Sequence, residues 1–168
     1  VKEVLEIIQD EELTADPVKQ EQALYDKAFE IFDFNTFSML ALGRKYRVFS
    51  ATQRREFITY FSKMISNTYF PKLAGRNVSN IKILYQDVHV LKPRKDLLRT
   101  DITTDLGRED THVAVVYRMI MKNGQDWKVY DIKIEGVSMA ANYREQFKEQ
   151  VSQTPEEIIA QLKKKVEK

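Results

Sequence analysis

The chain has no cysteine, and this absence excludes disulfide bonds, thiolate metal sites and cysteine nucleophiles. Histidine is scarce as well, because the only two, His89 and His112, stand 23 positions apart. That spacing fits neither the paired ligands of a zinc-binding helix nor a three-ligand metal site. The five glycines form no phosphate-binding loop, dinucleotide fingerprint or nucleophile elbow. We therefore predict no metal centre and no catalytic site of a known sequence motif.

Long apolar runs are also missing, since the longest one is the five residues from Val113 to Tyr117. A helix that crosses a bilayer needs about 20 such residues, so we expect a soluble protein. The chain has 168 residues, of which 43% are hydrophobic and 31% charged, and these values are typical of a globular domain of ~100–200 residues. No internal repeat or Gly/Ser-rich linker divides the chain. We predict one domain over residues 1–168.

Apolar residues at helical spacing and capping residues predict six helices. Their ranges are 2–13, 17–32, 33–43, 51–74, 138–152 and 155–166. Asp16 before Pro17, Asp33, Ser50 with Gln53, and Thr154 before Pro155 are the expected N-terminal caps. Pro71 is expected to break or kink the long fourth helix near its end.

The segment between residues 81 and 135 changes to the two-residue period of strands. The predicted strands cover 81–90, 97–106, 113–121 and 127–135, with a bulge near Asp87 in the first. Asn123-Gly124 is a strong signal for a two-residue hairpin between the last two. Short connections favour an antiparallel four-stranded meander, and therefore an α+β domain.

Charge is unevenly distributed along the chain. Residues 1–35 carry three basic and ten acidic side chains, whereas residues 43–76 carry eight basic and one acidic. The two segments either attract each other within the fold or provide a charged docking face. Nucleic acid is not the expected partner, because the pI of about 8.6 is below the value typical of such domains and no nucleic-acid motif is present.

Aromatic residues are unusually concentrated, since 12 of the 18 lie between Tyr25 and Phe70. They form either an ordinary core between helices and sheet or the wall of a cavity for an apolar ligand. Asp131 is the one carboxylate that could act as a buried catalytic base. Its other interpretation is a hydrogen-bonded residue that fixes the sheet.

Two stretches of the sequence resemble the MlaC family, also called the toluene-tolerance family. The first is DFNTFSMLALGR at 33–44, with ATQRREF at 51–57 and Thr68-Tyr69 after it. The second is WKVYDIKIEGVS at 127–138, followed by Asn142-Tyr143-Arg144 and Gln146-Phe147. The resemblance extends in the same order from about Asp16 to Leu162.

This resemblance implies a periplasmic phospholipid carrier with no enzymatic activity and no cofactor, its phospholipid being cargo. The implied fold is a cone of the nuclear-transport-factor-2 or cystatin type, in which N- and C-terminal helices wrap a twisted sheet around an apolar lipid pocket. The implied partners are an outer-membrane lipoprotein-porin complex and an inner-membrane ABC transporter with an MCE-domain subunit. Such a carrier maintains the lipid asymmetry of the outer membrane, and we expect it to be a monomer.

We predict the site residues from the long helix, the most apolar strands and the residues after Gly136. The predicted lipid-binding residues are Phe57, Phe61, Met64, Ile65, Tyr69, Val113, Val115, Tyr117, Met119, Val137 and Met139. The predicted docking residues are Arg44, Arg47, Arg54 and Arg55. Two other functions remain open: a small enzyme or apolar-molecule binder with Asp131 as its base, and a protein-binding adaptor with a well-packed core.

Overall fold

The computed structural model describes residues 2–73, 81–108, 111–149 and 153–167. The α-helices are α1 (Lys2–Gln9), α2 (Glu11–Thr14), α3 (Pro17–Ile31), α4 (Phe34–Leu42), α5 (Ala51–Leu73), α6 (Met139–Glu149) and α7 (Pro155–Val166). A 3₁₀ helix over Gly43–Arg47 follows α4. Within the described ranges, no helix has the length and apolar character that crossing a membrane requires.

Side-chain caps fix the starts of the four helices for which the sequence predicts a cap. Each cap accepts a hydrogen bond from a backbone N–H of the first helical turn, and the four caps are Asp16, Asp33, Ser50 and Thr154. At α5 the capping box is complete, because the backbone N–H of Ser50 donates to the Gln53 side chain at 2.7 Å. The predicted starts of α3, α4, α5 and α7 are thereby confirmed.

Two helix predictions are wrong in detail. The first helix does not run unbroken over 2–13, because Asp10 has an extended backbone and caps α2 through the N–H of Leu13. The long helix is not broken at Pro71, since α5 continues through it to Leu73, and the alternative of a kink there stays a prediction. A proline in the last turn removes only one helical hydrogen bond. The predicted ends at Ala74 and at residue 152 lie outside the described residues.

The second half of the fold is an antiparallel sheet in which strands follow one another in chain order. Its strands are β1 (Lys82–Val90), β2 (Leu97–Arg108), β3 (Thr111–Lys122), β4 (Lys128–Ile134) and β5 (Val137–Ser138). The α+β class and the antiparallel meander are confirmed, but the sheet has five strands rather than four. Glu135 and Gly136 have φ values of 49° and 78°, so the chain reverses in two residues and pairs Val137 with Ile134.

The turn at Asn123-Gly124 is confirmed, but the hairpin around it is wider than predicted. Both residues have positive φ, and the N–H of Gln125 donates to the carbonyl of Lys122 at 2.9 Å. Pairing between β3 and β4 nevertheless starts only at Ile120 with Lys128. The residues after the turn therefore form a loop instead of extending the ladder.

Two bulges interrupt the regular pairing of the sheet. In β1 the register shifts between Tyr85 and Asp87, which confirms the predicted bulge and leaves Gln86 as the extra residue. In β4 the extra residue is Tyr130, because Arg118 pairs with Asp131 while the next residue of β3 pairs with Val129. Each bulge reverses the side-chain alternation of its strand.

The main hydrophobic core is built from helices. It contains the buried side chains of Phe37 in α4, Phe57 and Phe61 in α5, Phe147 in α6 and Ile158 in α7. The rings of Phe57 and Phe61 are 5.0 Å apart, and both are closed off from solvent. No strand residue in the described part of the chain belongs to this core. The apolar residues of the strands are therefore not part of the helical core.

Candidate functional site: an apolar face of the sheet

One face of the sheet is apolar from edge to edge. Directly paired residues in antiparallel strands point to the same side, so a row of pairs defines a face. One row crosses all five strands, and it consists of Tyr85, Thr104, Val115, Ile134 and Val137. The next row, again uncharged, consists of Val88, Ile102, Tyr117 and Ile132.

We call this surface the apolar sheet face and define it by the paired positions on that side. Its apolar members are Ile83, Tyr85, Val88, Val90, Leu98, Ile102, Leu106, Val113, Val115, Tyr117, Met119, Met121, Val129, Ile132, Ile134 and Val137. Between Leu98 and Leu106 of β2, its polar members are Thr100 and Thr104. The face carries no charged side chain between Leu98 and Leu106 of β2 or between Val113 and Met121 of β3.

The two bulges are the reason why this face is continuous. Without the extra residue Gln86, Tyr85 and Val88 would point to opposite sides of β1. Tyr130 has the same effect in β4, where it brings Val129 to the side of Ile132. Because of each bulge, the apolar residues before and after it lie on the same face of the sheet.

Much of this apolar surface is open to solvent. Among the described strand residues, seven large hydrophobic side chains are exposed, and six of them belong to the apolar sheet face. The most open are Tyr85 at 69%, Val90 at 67% and Val137 at 62% exposure. The exception is Leu84, which points to the opposite face of β1. Contiguous exposed apolar surface of this kind marks a binding site rather than a scatter of single residues.

The centre of the face is buried and uncharged. Val115 and Thr104 are buried, and the Thr104 hydroxyl donates to the carbonyl of Val115 at 3.1 Å. Burial raises the pKa of Tyr117 to about 12, so its hydroxyl stays neutral at physiological pH. A ligand on this face meets hydrocarbon and neutral hydroxyl groups. This environment suits an apolar ligand and disfavours an ion, which would lose its hydration without gaining a charged partner.

The opposite face carries the charges. Arg118 of β3 lies between Asp131 at 3.3 Å and Asp101 at 3.6 Å, and its guanidinium group stands 5.0 Å from the ring centre of Tyr130. Burial raises the pKa of Tyr130, although the charge of Arg118 opposes this shift. The charged residues of β3 thus lie on the face opposite to the apolar one.

Asp131 is fully buried and uses its carboxylate for structural contacts. It accepts hydrogen bonds from the Ser138 hydroxyl at 2.6 Å and from the N–H of Ala140 at 3.0 Å, in addition to its ion pair with Arg118. Ser138 in turn caps α6 by accepting from the N–H of Ala141. These contacts confirm the structural interpretation of Asp131, which ties β4, β5 and the start of α6 together.

The structure separates the predicted lipid-binding residues into two groups. The strand group lies on the apolar sheet face and consists of Val113, Val115, Tyr117, Met119 and Val137. The rest are helical, with Phe57 and Phe61 inside the helical core and Met64, Ile65 and Met139 half-buried against it. Their contact with a ligand stays a prediction.

Tyr69 and Met64 lie at a junction of the last helices. Tyr69 is half-buried and interacts with Tyr143 of α6, whose pKa is raised by burial. Met64 and Tyr143 line a cavity of about 340 Å³, together with Lys165 at the end of α7. This cavity is bordered by the helices and shares no lining residue with the apolar sheet face.

The four predicted docking residues lie at the 3₁₀ helix and the start of α5. Arg44, Arg47 and Arg55 are exposed, whereas Arg54 is half-buried. The guanidinium group of Arg54 donates to the Tyr46 carbonyl at 3.0 Å and lies 4.3 Å from the centre of its ring. In the described part of the chain none of the four arginines makes an ion pair.

Sequence reasoning missed the contribution of β1, β2 and β4 to the site. Val88, Val90, Ile102 and Ile132 were recognisable as strand residues by their two-residue period, yet nothing assigned them to the face of Val115. The available signal was the break in apolar alternation at each bulge. One extra residue reverses the alternation, so the apolar residues before and after it lie on the same face.

The fold and the site together define an α+β domain with an open, uncharged sheet face that suits an apolar ligand. The chain belongs to the MlaC family, because the family model described as MlaC protein matches residues 1–164. No curated protein matches the chain.

A solved structure has the same fold. It is described as the phospholipid-binding protein from Ralstonia solanacearum in complex with a phospholipid, and it aligns with a TM-score of 0.81. The sequences are 23% identical, and the alignment covers 98% of this chain and 90% of that chain.

Proposed function

We propose that this protein binds a phospholipid, with the acyl chains on the apolar sheet face and the head group in solvent. The observation that carries the proposal is the uncharged row from Tyr85 to Val137, which crosses all five strands and is open at both edges. Membership of the MlaC family supports phospholipid as the ligand, as does the similar Ralstonia solanacearum fold described in complex with one.

The energetics favour an arrangement with buried tails. Two acyl chains contain ~30 methylenes, and their removal from water is worth on the order of 20 kcal/mol as an upper estimate. Burial of the phosphate group without a partner, in contrast, costs free energy. Between Leu98 and Leu106 of β2 and between Val113 and Met121 of β3, the apolar sheet face supplies hydrocarbon contact and no charged partner, so the head group is best placed beyond this region.

We further propose that the protein is a periplasmic carrier. It would exchange lipid with an outer-membrane lipoprotein-porin complex and with an inner-membrane ABC transporter that has an MCE-domain subunit, and so maintain outer-membrane lipid asymmetry. Among the described residues Arg44, Arg47 and Arg55 are exposed and make no ion pair, which supports a docking role for this basic segment. The structural use of Asp131 supports binding rather than catalysis.

Native mass spectrometry of the purified protein, followed by lipid extraction, tests the binding proposal. We expect a phospholipid to copurify with the wild type and to be lost from Val137→Glu, because a carboxylate on this face would have to be buried beside acyl chains. The matched control is Leu84→Glu, which places the same charge at a similarly exposed position on the opposite face. It should keep its lipid.

Equal lipid loading in Val137→Glu and Leu84→Glu would contradict the assignment of the apolar sheet face. Met64→Glu tests the helical part of the predicted site in the same way, and we expect a folded protein without lipid. Circular dichroism on each variant verifies that loss of lipid does not result from unfolding.

A further inference from the structure

A second cavity lies at the junction between α3 and α4, away from the apolar sheet face. Its volume is about 340 Å³, and its apolar walls are Phe29, Phe32 and Phe34 from this junction, Ile58 of α5 and Ile120 of β3. The ring centres of Phe29 and Phe34 are 4.7 Å apart. Aromatic and branched side chains thus surround one compact space.

The pleat of β3 separates this cavity from the proposed phospholipid site. Ile120 and Lys122 line the cavity, and both point to the side of β3 opposite to Met119 and Met121. A ligand in the cavity therefore does not compete directly for the apolar sheet face. The two surfaces form separate sites.

The cavity has an apolar end and a polar end. Phe34 and Ile120 are buried, whereas Asn35, Gln125 and Asp126 on the rim are exposed. Asn35 and Gln125 are exposed and line the cavity, so their side-chain amides are accessible to a ligand. This arrangement suits a ligand with an apolar body and one polar group.

The charges on the rim balance one another. Lys122 is neutralised by Asp33, with 2.5 Å between Nζ and Oδ2, and it also donates to the Thr36 hydroxyl at 2.7 Å. The remaining charges are one cation, Lys128, and one anion, Asp126. A ligand with a net charge would meet attraction and repulsion together, so the balance favours a neutral one.

We propose that this cavity binds a compact, uncharged ring compound that carries one hydrogen-bonding group, of the size and chemistry of a phenol. Three phenylalanine rings offer stacking partners to an aromatic body, and the two rim amides offer partners to its polar group. The volume is ample for one or two rings, since a cavity of about 150 Å³ already binds benzene. It lies near the lower limit of ligand pockets, which excludes a two-chain lipid.

Methyl NMR on isoleucine-labelled protein tests this proposal with phenol as the probe. We expect phenol to shift the methyl signals of Ile58 and Ile120 in a saturable way and to leave those of Ile102 and Ile132 unchanged. Benzoate, which has a similar size and a negative charge, should bind more weakly, because it gives up its hydration and the balanced rim offers no net positive charge in return.

Two variants on α3 provide the matched comparison. Phe29→Ala removes a partly exposed wall of the cavity, and we expect it to weaken phenol binding about tenfold. Tyr25→Ala removes the neighbouring ring, which is 4.6 Å from Phe29 but does not line the cavity, and should leave phenol binding unchanged.

Three results would overturn the proposal. One is the absence of saturable shifts at Ile58 and Ile120 with phenol at about 10 mM, above which binding is too weak to be specific. Another is a set of shifts confined to Ile102 and Ile132, which would place phenol on the apolar sheet face. The third is tighter binding of benzoate than of phenol, which would assign an anion to the site.

Discussion

Two carboxylates connect β3 to the starts of two helices. Asp33 caps α4 and pairs with Lys122, while Asp131 binds the first turn of α6 and pairs with Arg118. Lys122 and Arg118 are four residues apart on β3, on the face opposite to the apolar one. Since α4 and α6 also pack together, single side chains on the charged face set the position of the helical layer.

The pKa of Asp33 gives this arrangement a pH dependence. Burial alone would raise the pKa, but hydrogen bonds from Lys122 and Thr36 outweigh it and hold the pKa of Asp33 below its ordinary value. Because the folded-state pKa is lowered, this contribution to stability is full above the unfolded pKa of about 3.9 and is lost as the pH falls through the folded value.

We therefore predict that Asp33→Asn destabilises the protein by about 2 kcal/mol at pH 7, since it weakens charge-assisted hydrogen bonds. The difference from wild type should shrink below pH 4. Urea unfolding between pH 7 and pH 2.5 measures both quantities. Lys122→Ala removes the partner and should flatten the same part of the profile. If the curves of wild type and Asp33→Asn ran parallel over this range, the ion pair would not carry the pH dependence.

At the scale of the element, the bulges decide which side chains form a surface. A regular β1 would divide its apolar residues between both faces, and the edge of the sheet would be moderately apolar on each side. With the extra residue Gln86, four apolar residues of β1 lie on one face, namely Ile83, Tyr85, Val88 and Val90. A bulge that makes an apolar face continuous does more than change the local twist of the strand.

Deletion of Gln86 tests this role. We expect it to turn either Tyr85 or Val88 away from the apolar sheet face, with the residues beyond it, and so to lower the affinity for an apolar fluorescent dye about tenfold. Gln86→Ala is the control, because it keeps the residue count and hence the bulge. Unchanged dye binding in the deletion variant would mean that β1 does not contribute to the surface.

At the scale of the whole molecule, charge and apolar surface occupy different places. The acidic N-terminal helices contain ion pairs of their own, such as Lys27 with Glu3 and Glu30. The predicted docking arginines pair with none of these acids within the described residues. These exposed arginines, without an ion-pair partner among the described residues, favour the docking interpretation of the charge division in the sequence.

Salt should separate docking from lipid binding. We predict that higher ionic strength slows association with the proposed membrane partners, because exposed charges are screened over ~10 Å at 0.1 M salt. Lipid retention should not change, since burial of acyl chains is non-directional and uncharged. The measurement is a salt series of both quantities on wild type and on a variant with Arg44→Ser and Arg47→Ser.

Lys164→Ser provides the control for this series, since Lys164 is exposed but lies at the end of α7. Docking that is as fast in the double arginine variant as in this control would make the basic segment structural. Loss of lipid with rising salt would contradict binding through the tails.

The local signals of the sequence determined most of the elements. Capping residues such as Asp33 and Thr154 placed helix starts correctly because a cap acts within one turn. Alternation placed β3, and the interruption near Asp87 indicated the bulge of β1. The break at Asp10 and the two-residue strand β5 were not predicted, since each depends on a few backbone angles that composition hardly constrains.

The tertiary structure alone decided which apolar residues form the core and which form the site. The sequence contained two apolar sets, the aromatic residues of the helices and the alternating residues of the strands, and both suited a cavity wall. Helix packing closes Phe57 and Phe61 into the core, whereas pairing register collects Val115, Tyr117 and Val137 on one face of the sheet, with a buried centre and exposed edges. Period fixes the side of an element on which a residue lies, but burial depends on what the rest of the chain places against that side.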